Sequence, residues 1–436
     1  MKLVVIGGGS SYTPELMEGL IAEIRSLPLR ELYLVDIPPG QDKLEAVAGL
    51  CDRMLQKAGL AGTVKLRATL RRREALGGAD FVISQFRAGG LQARVNDELL
   101  PLAYGIVGQE TTGPGGFAQA LRAIPEALAL AREMEELCPE AWLINFTNPS
   151  GVVTEALQRY SAIKTVGLCN IPAIMRKTLA AFLEAPPHQL ALHFTGLNHL
   201  SFVTRVTLAG NDIIARILPE PAAHFFAAAS PALDPTEVSR LIGHLGLLPS
   251  PYLRYYYFPR QTFDEALKQA RGPGTRAQQI MAFEKELLQR YRDPELNQKP
   301  PELSFRGGAC YSEAAVSLMV SLCGGGPGEH VLNVRNDGAI PDLPARAVVE
   351  TNCLVEKDAI RVLEAGPLPA AVRGLVQQVK AYEELTVEAA AEGDYRKAYQ
   401  ALLNHPLVRG ADTARALLEE IINKNRPFLP QFGGYR

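Results

Sequence analysis

The chain starts with a strand-forming run, three glycines and a helix start, Met1-Lys-Leu-Val-Val-Ile-Gly-Gly-Gly-Ser-Ser-Tyr-Thr-Pro14. Lys2 to Ile6 is short, apolar and rich in β-branched residues, the composition of a buried parallel strand. Ser10 and Thr13 offer capping oxygens, and Pro14 suits a first helical turn. Leu16, Leu20 and Ile24 then recur at helical spacing. Strand, glycine turn and helix in this order open a dinucleotide-binding fold, because glycine lets the backbone approach a pyrophosphate and the helix N-terminus favours its charge. The usual third glycine is missing, and Tyr12 stands in its place. Taken alone, Gly7-x-Gly9 is equally compatible with a plain βα turn. The next strand, Leu32 to Asp36, ends in an acid. A carboxylate there can accept both ribose hydroxyls, which favours NAD over NADP. Asp36 lies beyond the usual ~20 residues from the glycines, a gap that a longer first helix absorbs.

The 436 residues exceed one ordinary core, and 47% apolar with 21% charged residues describes a soluble globular protein. A net charge of −2 argues against a general grip on nucleic acid or an anionic membrane. Six cysteines are scattered without a Cys-x-x-Cys pair, as in reduced cytoplasmic proteins. The expectation is a cytoplasmic enzyme with no cationic leader and no spanning apolar run.

Along the chain, Gln41–Gln56 reads as a helix, Thr63–Ala68 and Asp80–Gln85 as strands, and Gly113–Gly116 as a turn before a helix at Ala118–Leu137. Ala141–Asn145 and Ile163–Leu168 follow as strands, the latter read as the last of its sheet. The alternation predicts an α/β fold: an N-terminal Rossmann-like, doubly wound parallel sheet over residues 1–168 and a C-terminal α+β domain over 169–436. Ligands in such sheets sit at the carboxyl ends of the strands. Polar segments fall there at Gln85–Gly90, Asn145–Gly151 and Cys169–Pro172. In the second half, Gln189–Leu208 predicts two strands flanking Gly196-Leu-Asn-His-Leu200. Helices are expected at Asp234–Leu247, Gln278–Tyr291, Ala370–Glu392 and Thr413–Asn423, with a strand at His330–Val334.

Several segments could carry chemistry. Cys169 follows a buried strand, and His199 lies between two apolar runs. A thiolate and an imidazole from two segments could hold one divalent cation, or both could be ordinary buried residues. The amides of Asn145-Phe-Thr-Asn148-Pro-Ser-Gly151 suit sugar hydroxyls, whereas Ser150 suits a helix cap. Glu110, in a glycine-rich loop, either tunes a nearby acid or base or faces solvent. Arg87 and Arg94 either bind an anion or are exposed. In Tyr252-Leu-Arg-Tyr-Tyr256 a tyrosine could act as a base if its pKa falls from ~10, or the aromatic run could simply pack.

Together these motifs resemble glycoside hydrolase family 4, the NAD- and manganese-dependent glycosidases. The resemblance is carried by Gly7–Glu15, Gly108–Gly113, Asn145–Gly151, Cys169–Pro172, Gly196–Leu200 and Tyr252–Tyr256, in order along the chain. Cys169-Asn-Ile-Pro172 looks like the 6-phospho-β-glucosidase branch, since the α-specific enzymes carry an aspartate where Asn170 stands. The resemblance implies a lactate/malate dehydrogenase-like fold and hydrolysis of 6-phospho-β-glucosides such as cellobiose 6-phosphate or aryl glucosides. It implies NAD and Mn²⁺ (or Fe²⁺, Co²⁺ or Ni²⁺) as cofactors and a homodimer or homotetramer. Cys169 and His199 would be the metal ligands and Tyr252 the base, made more basic by Glu110. Asn170 would touch the sugar, and Arg94, Asn148 and Arg276 would contact substrate. Gly7, Gly9, Ser10, Ser11, Asp36 and Arg87 would hold the cofactor. Tyr255 and Tyr256 stand as alternative bases, and Ala270–Gly274 reads as an insertion before Arg276. NAD would oxidise C3, the metal would polarise the ketone, Tyr252 would remove the C2 proton, and elimination, water addition and return of hydride would follow. The competing reading is a plain lactate/malate-type dehydrogenase.

Overall fold

The structure is a computed structural model that describes residues 1–218, 226, 232–306 and 310–434. A nine-stranded sheet forms its centre. Its first six strands are β1 (Lys2–Ile6), β2 (Glu31–Val35), β3 (Lys65–Thr69), β4 (Phe81–Ser84), β5 (Trp142–Asn145) and β6 (Lys164–Gly167). They pair in parallel in the order β6-β5-β4-β1-β2-β3, the Rossmann order. Strand β1 shows why so apolar a sequence is required. Leu3 and Val5 face one core while Val4 and Ile6 face the other, so both faces of the strand are covered. The chain turns back between β1 and β4, which opens a crevice at their carboxyl ends.

The helices on this sheet are α1 (Thr13–Ala22), α2 (Gln41–Lys57), α3 (Arg72–Leu76), α4 (Gly90–Leu99), α5 (Gly113–Leu137), α6 (Ser150–Tyr160) and α7 (Ile171–Phe182). Two of the expectations fail here. Gly113–Gly116 is not a turn but the opening of α5. Its glycines are needed for packing, because a Cβ on Gly115 would lie 2.5 Å from the Asp97 carbonyl and one on Gly116 2.5 Å from the Thr111 carbonyl carbon. Ser150 does not cap α6; it lies inside the helix and donates to the Leu168 carbonyl at 3.1 Å, joining the helix to the chain just after β6.

Strand β6 is not the last of its sheet. The second half first forms a smaller antiparallel sheet from β7 (Leu190–Leu197), β8 (Leu200–Leu208), β9 (Asn211–Asp212) and β10 (Leu248–Pro249). It then returns β11 (Gly328–Arg335), β12 (Val348–Glu356) and β13 (Ala359–Val362) to the main sheet, antiparallel beyond β6. Side chains of β12 stitch the two sheets together: Asn352 accepts from Phe194 N at 2.7 Å and donates to the Leu192 carbonyl at 2.9 Å. The expected helices over Ala370–Glu392 and within Gln278–Tyr291 and Thr413–Asn423 are present.

A buried ion cluster locks β12 against α6. Lys380, 1% exposed, pairs with Glu155 at 2.8 Å and Glu383 at 2.5 Å, and Glu155 also accepts from Val348 N at 3.0 Å. Replacing Lys380 with Met should leave buried Glu383 without a cation and Glu155 with only Arg159 at 3.5 Å, and lower stability by about 3–5 kcal/mol. Urea unfolding measures this, and an unchanged midpoint contradicts it.

Candidate active site

The glycine turn lies directly on β2. Gly7 takes φ +83°, and Gly7 N and Gly8 N both donate to the Val35 carbonyl, at 2.9 and 2.8 Å. A Cβ on Gly8 would stand 2.8 Å from Leu34 Cα. Gly9 N donates to the Asp36 carboxylate at 2.9 Å, and a Cβ on Gly9 would come within 2.7 Å of that oxygen. The expected caps are not used. Residue 12 is the N-cap of α1 without a side-chain bond, while Thr13 Oγ1 donates to the Gly8 carbonyl at 2.8 Å. Ser10 Oγ accepts from Tyr12 N at 3.3 Å and faces the cleft. Ser11 is the exception among the expected cofactor residues. Its side chain is fully buried, donates to Glu284 at 3.0 Å and takes no part in the cleft wall, because the turn points it inward. Tyr12, at the vacant glycine position, lies with its ring 4.6 Å from the Arg306 guanidinium.

Glu110 does not face solvent, nor are Arg87 and Arg94 ordinary surface arginines. Arg87 pairs with Glu110, and Arg94 bridges Glu110 at 3.0 Å and Glu98 at 2.7 Å. Burial alone would raise the Glu110 carboxyl, but the two guanidinium groups outweigh it and hold the acid below the usual carboxylate range. Glu98 also accepts from Ala277 N at 2.8 Å, which brings the start of the helix Arg276–Tyr291 to the same wall. Arg276 therefore reaches the cleft despite the preceding Ala270–Gly274 segment, and it donates to the Phe305 and Arg306 carbonyls, both at 3.1 Å.

Cys169 lies two residues beyond β6, and His199 sits in the two-residue turn between β7 and β8 with φ +63°. The fold brings Cys169 Sγ to 3.5 Å from His199 Nε2. The Tyr252 ring stacks on the imidazole, with centroids 3.8 Å apart and planes 5° from parallel. Burial pushes the Cys169 thiol up to about 12 and the His199 imidazole down to about 4, so both groups favour their uncharged forms. Burial also raises the Tyr252 phenol, and Cys169, Tyr255 and Glu110 push it further in the same direction; Arg254 opposes them. A lowered pKa at Tyr252 therefore requires a cation beyond those of the chain. Tyr255 accepts from Arg254 at 2.7 Å and lines the cleft. Tyr256 does not; it stacks toward His405, which removes it as an alternative base.

One cleft of about 1730 Å³ is lined by every expected site residue except Ser11 and the alternative base Tyr256, with Asn148 and Asn170 included. That exceeds the roughly 300–1,000 Å³ of a single small-ligand pocket and leaves room for a dinucleotide beside a second ligand. The residues fit both implied cofactors. The glycine cradle would be filled by any Cβ, and the thiol and imidazole present soft and borderline donors to the same space. Among the described residues no group of three His, Cys, Asp or Glu side chains could hold a metal, so the pair offers two donors and leaves the remaining positions to other ligands. Gln85, Arg254, Arg306 and Tyr311 also line the cleft. No motif in the sequence assigns these four a role; Gln85 and Arg254 fall within the polar segment Gln85–Gly90 and the aromatic run Tyr252–Tyr256, and Arg306 and Tyr311 lie in neither.

Comparison with known proteins identifies the family. The family model described as family 4 glycosyl hydrolase matches residues 2–185, and that of the family 4 glycosyl hydrolase C-terminal domain matches 194–408. The chain belongs to glycoside hydrolase family 4. It is 44% identical over 438 residues to a protein of Bacillus subtilis (strain 168) named probable 6-phospho-beta-glucosidase, covering 99% of this chain and 98% of that one. The 6-phospho-beta glucosidase of Thermotoga maritima, solved with manganese, NAD⁺ and glucose-6-phosphate, matches with a TM-score of 0.89 at 35% identity over 98% of this chain and 99% of that one. Malate dehydrogenase of Plasmodium falciparum matches with a TM-score of 0.52 at 13% identity, over 90% of this chain and 99% of that one, which shows a shared fold alone.

Gly108 sets the position of the Glu110 loop. A Cβ there would lie 1.7 Å from the Glu98 carbonyl oxygen. Gly108→Ala should cost about 2–3 kcal/mol through overpacking. Thermal unfolding checks this, and an unshifted transition would show that the loop has slack.

Proposed function

We propose that this protein hydrolyses 6-phospho-β-glucosides such as cellobiose 6-phosphate or phosphorylated aryl glucosides, using NAD⁺ and a divalent cation, Mn²⁺ or its Fe²⁺, Co²⁺ or Ni²⁺ equivalents. The observation that carries the reading is the 3.5 Å approach of Cys169 Sγ and His199 Nε2, under the stacked Tyr252 ring, in the cleft that also holds the glycine turn. When bound, NAD⁺ supplies reversible oxidation at C3 of the sugar and the cation supplies Lewis acidity, with no net redox change.

The chain's own residues do the rest. Gly7 and Gly9, with Ser10 and the start of α1, receive the pyrophosphate, and Asp36 accepts the ribose hydroxyls. Arg87 closes the cofactor side. Cys169 and His199 hold the cation. Arg94, Asn148 and Arg276 bind the phosphorylated sugar, and Asn170, at the start of α7, touches its hydroxyls. Tyr252 removes the C2 proton, which is acidic only while C3 is oxidised. Glu110 stays ionised between its arginines and keeps the phenol basic once the proton is due to move. In this reading residues 1–168 carry the cofactor surface and residues 169–436 the metal pair, the base and the oligomer contacts.

The protein acts in the cytoplasm, in keeping with six unpaired cysteines, and works as a homodimer or homotetramer. Among the described residues no helix is long and apolar enough to cross a membrane, and a net charge of −2 gives no general attraction for nucleic acid. The dehydrogenase reading has only fold likeness in its favour.

A panel of nitrophenyl α- and β-glucosides, with and without 6-phosphate, tests the specificity. Run in D₂O with NAD⁺ and Mn²⁺, the reaction should place deuterium at C2 of the product, and Tyr252→Phe should lower kcat by about 10²–10⁴. Product without deuterium at C2 contradicts proton removal there.

A further inference from the structure

We propose that Glu350 is a positioning residue for the metal-binding pair: from β12 it holds both sides of the turn that carries His199 and, through Asn198, steadies the thiol of Cys169. This inference rests on reading Cys169 and His199 as the cation's ligands.

Glu350 lies in the interior, 2% exposed, two residues from the start of β12. Both of its carboxylate oxygens point at the β7–β8 turn. One accepts from Asn198 Nδ2 at 2.9 Å and the other from Ser201 Oγ at 2.6 Å, so the bonds fall on either side of His199. Asn198 is a relay. Its carbonyl oxygen accepts from Gly151 N at 3.4 Å, and its side-chain amide also reaches the Cys169 thiol. A single carboxylate thus touches the support of both candidate ligands, although they come from segments 30 residues apart.

The turn needs such support. His199 adopts φ +63° and Gly196 φ +130°, and a Cβ on Gly196 would lie 2.5 Å from the Leu200 carbonyl oxygen. A non-glycine residue in the left-handed region persists only where its surroundings over-determine it. The neighbours of Glu350 on β12, Thr351 and Asn352, grip the backbone of β7 farther from the tip, at Leu192 and Phe194. Glu350 alone of these reaches the turn itself.

Glu350 also differs from the most deeply buried acids among the described residues. Glu155 and Glu383 pair with Lys380, and Asp97, equally buried, pairs with Arg122. Among the described residues Glu350 has no ion pair. A carboxylate taken out of water without a cationic side chain is costly. Its placement is accounted for if the turn must be fixed by strong acceptors. Partners behind metal ligands commonly change metal affinity 10–100-fold when removed.

The test uses the full chain and Co²⁺ alone, titrated anaerobically and followed by the thiolate-to-cobalt charge-transfer absorption. The wild type should show the band and Cys169→Ala should not. Glu350→Ala should weaken Co²⁺ binding by about 10–100-fold. Glu350→Gln, which can still accept from Asn198 and donate to Ser201, should stay much closer to wild type. NAD⁺ binding by fluorescence should be unchanged in all of these variants, which separates a local effect from general loss of structure. Should Glu350→Ala fail to fold, Ser201→Ala removes one of the two bonds with little loss of volume and should still weaken Co²⁺ several-fold. Wild-type Co²⁺ affinity in the folded Glu350 and Ser201 variants overturns the positioning role while leaving the ligand pair intact. A band that survives Cys169→Ala overturns the ligand pair itself, and the positioning role with it.

Discussion

The site depends on one approach between segments distant in sequence: the thiol just beyond β6 meets the imidazole at the tip of the β7–β8 hairpin. Neither group reaches the other by local structure. Cys169 is fixed because β6 is a buried parallel strand whose carboxyl end opens on the crevice. His199 is fixed because the second half of the chain returns to the first sheet. Strands β11–β13 extend that sheet, and polar side chains on β12 hold the hairpin against it. The Lys380 cluster secures β12 in turn. The geometry of two side chains is thereby tied to the joining of the two halves of the molecule.

Electrostatics divide the cleft into regions with different tasks. Around Glu110 the charges are paired, and the acid remains ionised although it is buried. Around Cys169, His199 and Tyr252 desolvation governs, so thiol, imidazole and phenol all favour their uncharged forms. In the proposed function that second region receives the cation. A divalent ion would reverse each preference that matters, by favouring thiolate over thiol and phenolate over phenol. At the cofactor end the glycines serve a steric purpose: at positions 8, 9 and 40 a Cβ would strike β2 or the Asp36 carboxylate.

Much of this was legible in the sequence, for reasons that are local. The run Lys2–Ile6 could only be a buried strand, and the alternation that follows it fixes a doubly wound sheet. Cys169, His199 and Tyr252 stood out because each lies in a distinctive polar or aromatic motif between apolar runs. The errors share a cause as well. Local preference favours a turn at Gly113–Gly116 and a cap at Ser150, but tertiary packing decides both. Strand β12, Val-Val-Glu-Thr-Asn-Cys-Leu-Val-Glu, carries buried polar residues whose partners lie on another sheet, so its pattern did not announce a central strand. For the same reason Glu350 has no motif: its importance comes from what it faces. Ser11 and Tyr256 sit beside functional residues in sequence and point elsewhere in space.

The central claim is that the sulfur of Cys169 and the imidazole of His199 grip one cation. Anomalous diffraction from crystals grown with Mn²⁺ and NAD⁺ tests it most directly. The account predicts a manganese peak roughly 2–2.5 Å from both Cys169 Sγ and His199 Nε2. A peak bonded to neither, elsewhere in the cleft or outside it, would contradict it.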